Sequence, residues 1–160
     1  MKSRNLTLAA IALAFPLAVL AAESGHHDHG AHKPQKIELN AGKKWEIDDA
    51  LRKGMSSIRT SIATALPAAH AGKLSAAEYD ALGKELGSQV AYIVQNCKLD
   101  PKADAQLHVV VADIVDGIDT VEGKQQSKKR AQGVVRIAQT LNTYGKYFNH
   151  DGWQAVKLPH

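Results

Sequence analysis

Four stretches of this chain repeat their apolar residues at steps of three and four, and none alternates apolar and polar residues well enough to read as a strand. The first runs from about Asp48 to Ala71 and carries Leu51, Met55, Ile58, Ile62, Ala65, Leu66 and Ala69 on one stripe. Pro67 lies inside it and is expected to kink or tighten the last turn, and Gly72 can supply the left-handed residue that ends a helix. The second opens on Ser75-Ala76-Ala77-Glu78, a capping box, and aligns Tyr79, Leu82, Leu86, Val90, Ile93 and Cys97 in one narrow arc. Cys97 is therefore predicted to point inward. The third has Asp100 as N-cap and Pro101 as first helical residue, buries Leu107, Val110, Val111, Ile114, Ile118 and Val121, and stops at Gly123. The fourth, from about Ser127 to Asn149, aligns Val134, Ile137, Ala138, Leu141, Tyr144 and Phe148 before Asp151-Gly152. Short links force sequential helices to run antiparallel, so the expected fold is all-α, an up-down-up-down four-helix bundle over residues 45–153.

The ends read differently. Lys2 and Arg4, an apolar run from Leu6 to Leu20 and the small residues Ala21 and Ala22 give the order of a secretory signal peptide over residues 1–22. That run, broken by Pro16, is shorter than the roughly 20 residues of a comfortable membrane span, so cleavage and periplasmic export are expected rather than a stable membrane anchor. Residues 23–44 carry little to pack and read as a disordered tail, and residues 154–160 as a short C-terminal one. Removing Lys2 and Arg4 lowers the formal charge from +4, and the remaining basic residues are spread along the chain, so nucleic acid is not implied as a partner. A single cysteine, Cys97, excludes an intramolecular disulfide.

Metal chemistry is the positive signal. His26, His27, His29 and His32 stand within seven residues of the tail, with Asp28 among them, and a short His-rich tract reads as a capture site for Cu(II) or other divalent ions. In the expected bundle, Met55 and His108 both stand about seven residues into their helices, or roughly 10 Å along the axis, with Cys97 nearer the same pole. Thioether, thiol and imidazole together suit Cu(I), while zinc is the less favoured metal. Each has a plain alternative: Met55 as a gap-filling core residue, Cys97 as a small buried hydrophobe, His108 as a hydrogen-bonded residue at the edge of an apolar face. No HExxH, GxSxG, phosphate-binding glycine loop or CxxCH occurs, so no enzymatic activity is expected.

Leu51-Arg52-Lys53-Gly54-Met55-Ser56-Ser57-Ile58 resembles the first-helix segment that offers an axial methionine in the cytochrome b562 and cytochrome c′ class of periplasmic bundles, and Asn142 to Tyr147 is similar to the end of their fourth helix. The resemblance implies the bundle architecture and, as one alternative function, a b-type haem electron carrier. The position aligned with the axial histidine is Gly145, however, and the CxxCH of the c′ type is absent, so haem is not the expected cofactor. Asn96 to Pro101, continuing to His108, resembles a segment of small His-rich exported proteobacterial proteins associated with copper tolerance. The expected function is periplasmic metal binding, with copper buffered or delivered to a periplasmic protein partner. The remaining alternatives are a metal-free envelope stress or interaction protein and a structural module with an incidental His-rich tail.

Overall fold

The computed structural model describes residues 36–159, and within them the chain forms four helices. These are α1 (Asp49–His70), α2 (Ala76–Asn96), α3 (Pro101–Val121) and α4 (Arg130–Tyr147). They pack as sequential antiparallel neighbours, and α1 closes the bundle against α4. Three of the four starts are set by side chains that the local sequence supplies. Asp48 Oδ1 accepts from Leu51 N at 2.7 Å, and Asp100 Oδ1 accepts from Lys102 N at 3.0 Å and Ala103 N at 3.2 Å. Ser75 and Glu78 complete the capping box, with Ser75 N 2.7 Å from Glu78 Oε2. Each such cap is worth about 1 kcal/mol by satisfying N–H groups the helix itself leaves free. Pro67 does not break α1, which continues to His70, and Gly72 (φ +65°) and Gly123 (φ +78°) turn the chain after α1 and α3 in the left-handed region.

The fourth helix is shorter than its apolar pattern suggests at both ends. Residues 124–129 stay in a loop, held by Gln125 Nε2 donating to Asp116 Oδ1 at 2.8 Å. At the other end the backbone leaves the helix after Tyr147 because Phe148 pairs with Trp45. Trp45 N donates to Tyr147 O, and Asn149 N donates to Trp45 O, both at 2.8 Å.

The core is apolar apart from the buried Thr120 and Thr140. Leu51, Met55, Ile58, Ile62, Leu86, Ile114, Val134, Ile137 and Leu141 are fully buried. Burial of one such side chain contributes about 1.5–3 kcal/mol, whereas exposed ion pairs such as Arg52–Asp49 contribute at most about 1 kcal/mol. Apolar packing therefore holds the bundle. The closest helix crossing is α3 on α4, and two glycines make it. A Cβ on Gly133 would stand 2.5 Å from Gly117 O and 2.7 Å from Val121 N, and a Cβ on Gly117 would stand 2.5 Å from Ile137 Cγ1.

Both flanks of the helical region pack more than their composition promised. Trp45 is buried and its Nε1 donates to Glu38 O at 2.6 Å, while Glu38 N donates to Gln106 Oε1 at 2.7 Å. Residues 36–44, which low hydrophobicity had assigned to the tail, are thus tied to α3 and to Trp45. Beyond Trp153, Val156 is buried and gripped by Asn142: Val156 N donates to Asn142 Oδ1 at 2.7 Å, and Asn142 Nδ2 donates to Val156 O at 2.9 Å. Among the described residues no helix is long and apolar enough to cross a membrane.

Candidate functional site

Of the residues that the sequence singled out for metal binding, the structure brings two together. Cys97 caps the C-terminus of α2, its N–H donating to Ile93 O at 2.8 Å, and its side chain is half-buried. His108 lies two turns into α3. Both line one cavity of about 80 Å³ between α2 and α3, whose other walls are Ile93, Val94, Leu107, Val111 and the Asp104 side chain. Cys97 reaches this place through the tight Cys97–Pro101 link, which delivers the end of α2 straight to the start of α3.

The imidazole of His108 is exposed but oriented. Its Nδ1 stands 2.9 Å from Asp104 O and 3.4 Å from Asp104 Oδ2, one helical turn back. A proton on Nδ1 satisfies both oxygens and leaves Nε2 with its lone pair, the arrangement that metal-binding histidines commonly show. The thiol is held in the opposite sense. Burial first, then the Asp48 carboxylate, a hydrogen bond to Asp48 and the charge of Asp104 push Cys97 up to about 12, so the neutral thiol prevails. Asp48 itself is anchored: burial opposes its ionisation, but the N–H groups of Leu51 and Lys98 and the Cys97 thiol outweigh it and hold the carboxyl below its usual range. Lys98 N donates to Asp48 Oδ2 at 2.6 Å. One carboxylate thereby joins the start of α1, the end of α2 and the thiol.

Met55 is not part of this cavity. It is fully buried in the core on α1, where its stripe position placed it, and does not line the space that Cys97 and His108 share. His26, His27, His29 and His32 lie outside the described residues. Among the described residues, no three His, Cys, Asp or Glu side chains stand close enough to hold a metal ion together. What the folded part offers is a thiol and an imidazole in one cavity, a donor pair of the kind that two-coordinate Cu(I) takes.

At the pole where α1 begins, aromatic side chains gather around Gly145. The indole of Trp153 lies against Gly145, in the space that a side chain at 145 would fill. Its ring packs edge-on to Tyr144 at 4.9 Å, and Tyr144 stacks on Phe148 at 5.0 Å. Side chains thus occupy the space in front of Gly145.

Sequence reasoning missed the cluster that fills this place. After Phe148 the chain turns at Asp151-Gly152 (φ +73° at Gly152) and returns along α1 and α4. His150 then stands between two hydroxyls, with Nδ1 3.0 Å from Tyr144 Oη and Nε2 3.2 Å from Ser56 Oγ. Trp153 packs on His150 at 4.7 Å between ring centres. Burial, aided by Arg52, pushes His150 below its ordinary range, and burial pushes the Tyr144 phenol up. The Asp-Gly turn was visible in the sequence; read as a return turn rather than a stop, it would have pointed to this strap. The chain matches no protein-family model, no curated protein and no solved structure.

Proposed function

We propose that this is an exported, periplasmic metal-binding protein that buffers or delivers copper, with the His-rich tail as capture site and Cys97 with His108 as a two-ligand Cu(I) site. The observation that carries the reading is the shared cavity of Cys97 and His108, with Nε2 of His108 left free by the Asp104 contact. Cu(I) entry displaces the thiol proton, and the nearby Asp48 and Asp104 carboxylates favour the arriving cation. Because the thiol stays protonated at neutral pH, affinity at this site rises with pH. Competition with a Cu(I) chelator, on reduced monomer lacking residues 23–32, tests it. Cys97→Ala and His108→Gln should each weaken Cu(I) binding at least tenfold, and their effects should be non-additive because the two groups share one ion. Met55→Leu should leave affinity unchanged and cost under about 1.5 kcal/mol of stability. Equal affinity across the Cys97 and His108 variants would end the internal-site reading and leave the tail as the metal ligand.

A second reading, a metal-free envelope interaction protein, is favoured by the exposed Val94 (69%) and Val115 (40%) on the groove between α2 and α3. Metal content of the mature, untagged protein separates the two.

A further inference from the structure

The segment from Asn149 to Val156 is held to the bundle by four kinds of contact. His150 sits between Tyr144 and Ser56, Trp153 covers Gly145, Arg59 Nε donates to Gln154 O, and Asn142 grips Val156. Only the first of these involves a group that changes charge near neutral pH. Its hydrogen-bond pattern has one consistent solution. The buried Tyr144 hydroxyl must donate its proton, and Nδ1 of His150 is the acceptor beside it, at 3.0 Å. Nδ1 therefore carries the lone pair and Nε2 carries the hydrogen, which points to Ser56 Oγ. Protonation of His150 would convert Nδ1 from acceptor to donor and strand the proton of a buried phenol, a loss that water makes good only if the segment lifts.

Of the charges around the ring, that of Arg52 acts in the same direction and that of Asp151 opposes it. From α1 the guanidinium groups of Arg52 and Arg59 lie nearby, from α4 only the Tyr144 phenol faces it, and in its own segment Asp151 is the single carboxylate. We propose that residues 149–156 form a pH-operated latch that closes the groove between α1 and α4 while His150 is neutral and releases it when His150 takes up a proton. The sign follows from the depressed histidine. The closed state is fully favoured above the ordinary histidine range near 6.5 and loses its advantage as pH falls from there through the lower value of the docked ring. A recess of about 170 Å³, walled by Ser56, Arg59, Thr60 and the latch residues, lies between α1 and the latch.

A pH titration of the full mature chain by NMR tests the proposal. The Trp153 indole and Val156 amide signals should shift together with the His150 ring signals, with a common midpoint below 6.5, while Leu86 and Ile114 in the core stay unmoved. Tyr144→Phe removes the donor that needs the lone pair and should move the midpoint upward. His150→Gln should abolish the coupled transition between pH 7 and 5. Trp153 and Val156 signals that stay constant while His150 titrates in the wild-type protein would overturn the latch, whatever the variants do. An unchanged midpoint in a folded Tyr144→Phe protein would overturn the role given to Nδ1.

Discussion

Trp153 lies against the backbone of Gly145, so that the missing side chain of one residue is the seat of the other. The consequence is that the indole covers α4 near its C-terminal end, at the pole where α1 begins. Trp153 Nε1 is itself buried without a hydrogen-bond partner, a cost that the ring packing against Tyr144 and His150 offsets.

Gly145→Ala should therefore destabilise the protein by about 1–3 kcal/mol, because a methyl group would overlap the indole. In a Trp153→Ala background the same substitution should be neutral or stabilise by up to about 1 kcal/mol, as alanine does inside an unobstructed helix. A double-mutant cycle from urea unfolding measures the difference. Purified protein incubated with haem should give no Soret band characteristic of Met or His ligation.

The α3–α4 crossing predicts a contrast between two helical glycines. Gly133→Ala sets a methyl against the backbone of Gly117 and Val121, which cannot rotate away, so a loss of about 1–3 kcal/mol or more is expected. Gly87 has no atom within 4 Å of the position its Cβ would take, so Gly87→Ala should raise stability by about 0.5–1 kcal/mol. Thermal melts of the two variants should move in opposite directions.

Cys97 should be a slow thiol. With its pKa pushed from 9.0 to about 12, the thiolate fraction at pH 8 falls roughly a thousandfold, and labelling of the native protein should slow accordingly. Asp48→Asn should speed labelling, because the carboxylate charge beside the thiol is lost while asparagine still caps α1. The linkage has a definite sign. A thiol whose folded pKa is raised stabilises the fold fully below its ordinary value near 9 and loses that contribution as pH climbs toward 12. Stability attributable to Cys97 should therefore fade only in alkali.

Much of the fold was written locally. Asp48, Ser75 with Glu78, and Asp100 with Pro101 start their helices through contacts spanning no more than three residues, and the apolar stripes of three- and four-residue spacing became the core. Such features depend on nearest neighbours along the chain, which is why the sequence by itself determined four antiparallel helices, whereas Cys97, expected on the inward arc of α2, stands at its C-cap in extended backbone and is half-buried. Tertiary structure decided what lies far apart in sequence. Trp45 ends α4 from 103 residues upstream of Phe148 by pairing with its flanking backbone, and Asn142 anchors Val156 across the C-terminal turn. The candidate site divides in the same way. That Cys97 and His108 approach one pole followed from helix length, but that they share a cavity while Met55 remains apart in the core depends on how the helices rotate about their axes. That rotation is set by side-chain volume at the crossings, by Gly117 on Gly133 and Gly54 on Ile93, and no pattern within a single helix encodes it.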